Sequence, residues 1–482
     1  MDIHITLEGS HDLVGQIYRH LRGAIIDGRL AAGVRLPSTR DLAVQLGVSR
    51  KTTLEVFERL GAEGYLYTRP GDGTFVAEGF RAGGKSSAMA TPEPSGVRPA
   101  ARWAQMPEAL AIPRPGSVLA HDFQGGVTDK SQFPFEAWRR CIHHALRAQA
   151  RGRGAYRDPA GEQELRLAIA RYLAYSRALT PSWEQVVVTQ GAQQALDLLA
   201  RVVLEPGDVV AVEEPGYPPA RACFAAMGAK TVSVPVDGEG IVVERLPDAA
   251  RLVYVTPSHQ FPLGMPMSLR RRLALLEWAH RRAAVVIEDD YDGEFRFEGR
   301  PVESLKSLDQ HGLVAYVGTF SKTLFPELRV GYLVPPESLM SALHKAKQLG
   351  DWHSCSLTQT ALARFMLDGD FAKHLRRVHK HYTASRDVLV RHLKTDLSPW
   401  LEPEIPVAGI HLAARLKAGL REAEVIAAAR EAAVGLYGIS NFYADTEPVQ
   451  GLMLGYGGIG PEAIGYALGR LADVLSRLAP VG

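Results

Sequence analysis

The chain runs to 482 residues, long enough for two or three domains and a large buried core. Hydrophobic residues make up 46% of it and charged residues 22%, which excludes a collagen-like, coiled-coil, low-complexity or disordered protein. With 55 Lys plus Arg against 53 Asp plus Glu the formal charge is +2, so binding of nucleic acid by bulk charge is excluded and any such contact must be local.

In chain order, Leu13, Ile17, Leu21 and Ile25 fall on one face of a helix, and Leu36-Pro37-Ser38-Thr39-Arg40 opens a second. A turn at Gly47 follows. Ser49 can cap a third helix that carries Val56, Phe57 and Leu60 and ends near Gly64. Tyr65 to Val76 reads as a hairpin turned at Gly71-Asp72-Gly73. The order helix, helix, turn, helix, β-wing over residues 10–80 is that of a winged helix-turn-helix. In such a unit the recognition helix enters the major groove of DNA with its N-terminal side chains at base edges, while neighbouring groups hold phosphates. Ser49, Arg50, Lys51 and Thr52 cluster at the start of that helix, Arg40 begins the preceding one, and Arg69 and Thr74 sit on the wing. Residues 1–80 carry nine Lys plus Arg and ten Asp plus Glu, as a winged-helix protein-interaction module would; the cations at the recognition helix favour DNA.

From residue 81 to about 119, Gly, Ser, Ala, Pro, Thr and Arg dominate without periodicity, which predicts an interdomain linker. Arg98 and Arg102 within it read as solvated charges or as DNA-backbone contacts.

Residues 120–482 alternate short apolar runs with helical patterns such as Arg270 to His280. The runs are Val186 to Thr189, Val209 to Glu213, Leu252 to Thr256, Val285 to Glu288 and Leu313 to Gly318. That alternation predicts an α/β domain with a mainly parallel central sheet covered on both faces. Lys322 follows the last run, and Arg329 stands seven residues on, with Gly331 beyond. An amine and a guanidinium so placed can meet one ligand, the amine forming a Schiff base with an aldehyde and the arginine clamping a phosphate. Pyridoxal phosphate carries both groups. Asp289 lies thirty-three residues upstream of Lys322, where an acid can keep a pyridine nitrogen protonated. Tyr291 can hydrogen-bond the ring's phenolic oxygen; the other reading of this acidic stretch is a solvated strand end. Gly191, Ala192 and Gln193 make a tight turn and a helix start whose N–H groups suit a phosphate. Tyr217, after the next run, can stack on the ring or pack in the core.

Cys141, Cys223 and Cys355 are too few and too scattered for a disulfide framework or a zinc site, so no metal and a reducing, cytoplasmic setting are expected. Met1-Asp2-Ile3-His4 places no basic segment ahead of an apolar stretch, and runs such as Ala283 to Ile287 are far too short for a membrane span.

Leu36-Pro37-Ser38-Thr39-Arg40, Leu46-Gly47-Val48-Ser49-Arg50 and Gly71-Asp72-Gly73-Thr74-Phe75-Val76 together resemble the winged helix-turn-helix of GntR-type transcription regulators. The motifs of residues 120–482, centred on Gly318-Thr319-Phe320-Ser321-Lys322 and Arg329, resemble a fold-type I pyridoxal-phosphate enzyme of the aminotransferase class. Joined in one chain, the two look like the MocR subfamily of bacterial regulators. The resemblance implies Lys322 as the Schiff-base lysine, Asp289 at the pyridine nitrogen, Tyr291 at the phenolic oxygen and Tyr217 stacked on the ring. Arg329, Gly191, Ala192 and Gln193 would surround the phosphate. It further implies a head-to-tail homodimer in which Tyr156 reaches the cofactor phosphate of the partner subunit. The paired domains would read double-stranded operator DNA under control of a small-molecule effector, pyridoxal phosphate or an amino compound.

Two departures bear on the effector. Phe261-Pro262-Leu263-Gly264 stands where aminotransferases carry Asn-Pro-x-Gly, in the Ser258-His259-Gln260-Phe261-Pro262 form common in the subfamily. Met453, in Leu452-Met453-Leu454-Gly455-Tyr456, stands where aminotransferases place the arginine that binds the substrate's α-carboxylate. The second departure weighs against a working aminotransferase with sustained turnover and favours a sensor of pyridoxal phosphate itself, as in control of vitamin B6 synthesis. A regulator that senses an amine or an amino acid such as GABA is the alternative, with Arg221 a candidate carboxylate clamp. A scaffold that binds DNA without a cofactor is opposed by the intact Lys322, Asp289 and Arg329.

Overall fold

The computed structural model describes residues 5–9, 11–78, 98–104, 106, 119–299, 303–417 and 419–479. The chain divides into two compact units, Met1–Arg98 and Pro99–Gly482, the division falling inside the segment expected to be a linker. Most of that segment, residues 81–97, 105 and 107–118, lies outside the described residues, as does Met1 to His4. Within it Ala101–Ala104 forms one helical turn where the sequence reading saw no periodicity. Four residues of good helical propensity suffice for a turn yet are too short to display a period.

The smaller unit is built from α1 (Leu13–Ile26), α2 (Thr39–Leu46), α3 (Arg50–Ala62), β1 (Leu66–Arg69) and β2 (Gly73–Val76). Local chemistry sets each boundary. The Ser38 side chain accepts from the Asp41 N–H at the start of α2, and Gly47 ends that helix in the left-handed region at φ 66°. Ser49 accepts from the Thr52 N–H to start α3. β1 and β2 pair antiparallel with Leu66 opposite Val76, which forms the wing. Ile17, Leu21, Leu42, Val56 and Leu60, all fully buried, form the core that fixes the angle between α2 and α3.

In the larger unit an eight-stranded sheet takes the order Val187–Thr189, Gly331–Val334, Val314–Thr319, Val285–Asp290, Ala250–Val255, Val209–Glu214, Lys230–Asp237, Gly240–Ile241. The five inner strands from Val314–Thr319 to Lys230–Asp237 are parallel, and Gly331–Val334 runs against both its neighbours. Alternate side chains enter opposite cores. Val210, Val212, Leu252 and Tyr254 pack with Leu196 and Leu199 of the helix Ala192–Val203, whereas Ala211, Val253 and Val255 pack with Leu275 and Ala279 of Leu269–Arg282. Burial on both faces is why these strands read as continuous apolar runs.

A second sheet was not anticipated from the sequence. Its four antiparallel strands, Leu401–Glu404, His411–Leu416, Gly451–Gly455 and Tyr437–Gly438, lie in that order. Leu412, Ala414, Leu452 and Leu454 share a core with Leu389 and Leu393 of Asp370–Lys394 and Leu468 and Leu471 of Pro461–Leu478. The opposite face of these strands carries Ala413 and Met453, which pack with Phe261 and Phe442.

Candidate functional site

On the winged unit, Arg40, Arg50, Lys51 and Arg69 are exposed. Arg40 and Arg50 border one shallow recess with Ala43, Val44, Gly47 and Val48, so the turn between α2 and α3 brings two cations from separate helices to one place. Ser49 and Thr52 are occupied differently, their hydroxyls 2.8 Å apart within the helix cap. Arg69 lies over the Tyr67 and Phe75 rings of the wing, and the Thr74 and Thr68 hydroxyls meet across its strands.

In the larger unit the ends of the parallel strands converge on a cavity of about 540 Å³, an ordinary size for a small-molecule site. Ala192, Gln193, Tyr217, Asp289, Tyr291, Lys322 and Arg329 all line it. Topology explains their meeting. Thr319 and Gly331 pair across adjacent antiparallel strands, and the Phe320 N–H donates to the Val330 carbonyl, so Lys322 and Arg329 ride on one closed excursion at the strand ends. The Lys322 amine donates to the Gly126 carbonyl at 2.7 Å, and its burial lowers its pKa, which increases the fraction of neutral, nucleophilic amine.

Two glycines are required by this packing. Gly191 caps the helix Ala192–Val203 at φ 77°, and a Cβ there would sit 2.8 Å from an Arg329 guanidinium nitrogen. A Cβ on Gly331 would lie 2.8 Å from the Gly191 carbonyl carbon. The close approach lets Arg329 donate to the Gln190 carbonyl at 2.8 Å while it lines the cavity beside the helix N-terminus. Ser321 and Thr319, hydrogen-bonded to each other at 3.0 Å, line the same cavity. A guanidinium, two hydroxyls and a helix N-terminus suit a phosphate dianion.

Asp289 supplies the clearest test of a pyridine ring. One carboxylate oxygen accepts from the Tyr254 hydroxyl at 2.8 Å, while the other is buried with no partner among the described residues. Burial pushes this carboxyl up to about 7. A protonated ring nitrogen would satisfy the orphaned oxygen and return the carboxyl to its charged form. The residues present fit pyridoxal phosphate at both its phosphate and its ring nitrogen.

The pH dependence of the cofactor-free protein follows. The folded chain keeps the Asp289 proton up to about pH 7, whereas the unfolded chain releases it near pH 4. This group therefore favours the fold below pH 4, and that contribution is lost as the pH rises towards 7. Asp289→Asn, which has no proton to lose, is expected to melt close to the unsubstituted protein at pH 5 and several degrees above it at pH 8. Thermal melting at the two pH values checks this, and an equal gap at both would show that Asp289 is already charged in the cofactor-free protein.

Tyr217 and Tyr291 meet Phe261 edge to face, at 5.4 Å and 6.1 Å between centroids. The Tyr291 hydroxyl donates to the His259 carbonyl at 3.0 Å and lies 3.0 Å from His259 Nδ1, which is also 3.0 Å from both Asp292 oxygens. His259, Asp292 and His411 are buried close together; His259 Nδ1 is engaged with Asp292 and Tyr291, while Nε2 of His259 and of His411 have no partner among the described residues. Tyr156 does not line its own chain's cavity. It is 75% exposed, its ring tilted against Trp352 with 4.6 Å between centroids. Arg221 is also outside the cavity, held by Glu214 at 2.7 Å.

The sequence reading missed several lining residues: Tyr254, Thr256, Gly126, His411, Tyr437 and Phe442. Tyr254 carried a faint signal as a phenol inside an otherwise aliphatic strand. Thr256 ends the same run; the others arrive from distant segments of the chain or from the second sheet, and no local pattern marks them.

Two family models match this chain, the bacterial regulatory proteins of the gntR family over residues 13–76 and aminotransferase class I and II over residues 125–441. A probable rhizopine catabolism regulatory protein, MocR, from Rhizobium meliloti is 38% identical across 97% of this chain and 94% of its own length. The pyridoxine biosynthesis regulator PdxR from Corynebacterium glutamicum is 29% identical across 96% and 95%. Among solved structures, the α-aminoadipate aminotransferase LysN from Thermus thermophilus, complexed with N-(5'-phosphopyridoxyl)-L-leucine, superposes with a TM-score of 0.68 at 29% identity. The match covers 74% of this chain and 92% of that one. With a DNA-binding model and an aminotransferase model on one chain, and a MocR regulator matched along nearly its whole length, the protein belongs to the MocR subfamily of GntR-type transcription regulators, with a pyridoxal-phosphate-binding, aminotransferase-like large domain.

Proposed function

We propose that this regulator is a cytoplasmic head-to-tail homodimer in which capture of pyridoxal phosphate at Lys322 changes how the paired winged units hold an operator, and that the cofactor itself is the sensed ligand. The observation that carries the reading is the pairing of an orphaned Asp289 oxygen with a buried, pKa-lowered Lys322 in one cavity. When bound, pyridoxal phosphate supplies an electrophilic aldehyde on an electron-withdrawing ring. The chain does the rest: Arg329, Ser321 and the Ala192 helix end hold the phosphate, Asp289 holds the ring-nitrogen proton, and Tyr217 covers the ring face. Met453 in place of an arginine and the PdxR likeness support control of vitamin B6 synthesis. Exposed Tyr156, outside its own cavity, is free to reach the cofactor phosphate of a partner subunit.

On the DNA side, Arg40, Arg50 and Lys51 are the groups that meet the operator, with Arg69 and Thr74 at the wing and Ser49 and Thr52 presenting the helix start. Arg50→Ala is expected to weaken operator binding about tenfold or more. The deciding experiment titrates the cofactor-free protein on its own upstream DNA, first with pyridoxal phosphate and then with amino compounds. A change of affinity or footprint with pyridoxal phosphate alone supports the reading. Indifference to the cofactor, with a response only after an amino compound is added, sinks it in favour of an amino-compound sensor.

A further inference from the structure

The cavity does not stop at the groups assigned to the cofactor. Past Lys322 it is walled by Phe261, Ile410, Tyr437, Phe442 and Met453, with His411 among them. Its charge inventory is specific. Among the described lining residues the lysine and arginine side chains are Lys322 and Arg329, and the proposed function commits both to the cofactor. Arg221, the other candidate clamp, is tied to Glu214, which also accepts from the Ala444 and Asp445 N–H groups. Met453 is seated firmly: a Cβ on Gly125 would meet its Cε at 2.6 Å, and the adjoining Gly126 carbonyl is the one that accepts from Lys322. A thioether therefore lies beside the segment that holds the lysine, where a guanidinium would be needed to receive a carboxylate.

His411 points the same way. It is 1% exposed, it hydrogen-bonds the Pro262 carbonyl, and its Nε2 has no partner among the described residues. Burial holds its pKa well below the usual histidine range, so the ring is neutral and Nε2 is a lone-pair acceptor. A buried acceptor asks for an N–H or O–H. An anion there would face a lone pair and apolar walls, and an unpaired buried charge is strongly unfavourable. Asp289 and Asp292 add negative potential on the same side, since both favour the charged form of Lys322.

We infer that this end of the cavity is a second-ligand site for a small amine whose body is apolar or hydroxylated and carries no carboxylate, with His411 Nε2 accepting a hydrogen from the ligand and Met453 excluding amino acids. The inference rests on the reading that Lys322 holds pyridoxal phosphate in the same cavity.

The test uses the full-length protein loaded with pyridoxal phosphate and matched probes that differ by the carboxylate: butylamine against 4-aminobutyrate, and phenylethylamine against phenylalanine. Binding is read by calorimetry and by the near-visible absorbance band of the bound cofactor. The expected result is that each amine binds at least tenfold more tightly than its carboxylate counterpart, and that Met453→Arg narrows or inverts the ratio. Equal or tighter binding of the amino acids to the unsubstituted protein overturns the inference whether or not the variant folds, as does an intact cofactor band with no binding of either amine. Absence of a cofactor band when pyridoxal phosphate is added is a separate result, which removes the proposed function itself.

Discussion

Lys322→Ala is expected to bind operator DNA as tightly as the cofactor-free protein and to ignore pyridoxal phosphate. The lysine lines the same cavity as the orphaned Asp289 oxygen and Arg329, and the Gly126 carbonyl holds its amine in place. Its removal eliminates the covalent hold, leaving the phosphate cradle and the ring contacts, so affinity for the cofactor should fall by two orders of magnitude or more and the near-visible absorbance band should vanish. DNA binding should survive because the winged unit has its own core of Ile17, Leu42, Val56 and Leu60. Absorbance titration and an operator shift assay on the same preparations check both halves. A variant that still changes its operator affinity at the cofactor concentrations effective for the unsubstituted protein would show that noncovalent occupancy is enough, and Lys322 would lose its assigned role.

The second large effect concerns the frame of the site. Arg272 and Glu288 are both fully buried, with 3.8 Å between charged atoms. Arg272 also donates to the Pro257 and Met267 carbonyls, which bracket the Ser258 to Pro262 loop that carries His259 and Phe261 into the site. Glu288 accepts from the Leu305 and Lys306 N–H groups, and burial pushes it up to about 7 despite the neighbouring guanidinium. Arg272→Met would strip two carbonyls of their donor and raise Glu288 further. At pH 8 the expected loss is about 3–5 kcal/mol, the range for breaking one side of a buried pair. At pH 6 the loss should be smaller, because Glu288 can then keep its proton: a carboxyl raised in the fold favours folding at low pH and loses that effect as the pH climbs. Adding Glu288→Gln should flatten the difference between the two pH values. Calorimetric unfolding of the larger unit at each pH reads the effect, and a loss under about 1 kcal/mol with no pH dependence would mean that the pair contributes only packing.

Legibility differed between the parts of this protein for physical reasons. Caps and turns are local devices, so Ser38, Gly47 and Ser49 marked the ends of α2 and α3 in the sequence and appear there in the fold. Strands buried on both faces must be apolar throughout, so the five apolar runs could be read to within a residue or two. Lys322, Arg329 and Asp289 were legible because few chemistries need an amine, a guanidinium and an acid at strand ends together. The second sheet was not. Leu401–Glu404 and Tyr437–Gly438 are short, and the central pairing of His411–Leu416 with Gly451–Gly455 joins distant segments, which leaves no alternating run to notice.

The sequence by itself determined the two-part plan, the recognition helix, the cofactor class and the missing carboxylate arginine, since each depends on residue identity within a short stretch. Met453 in that arginine's place was also legible there; tertiary structure alone decided where each candidate stands. Pairing of His411–Leu416 with Gly451–Gly455 brings His411 and Met453 to the cavity, the Glu214 contact removes Arg221 from it, and close packing of Gly331 on Gly191 aims Arg329 at the helix end. The strand pairing and the glycine packing join residues far apart in the chain, and a contact of that kind leaves no mark on either partner's immediate sequence; Glu214 and Arg221 are only seven residues apart, but which way that guanidinium turns is set by the fold.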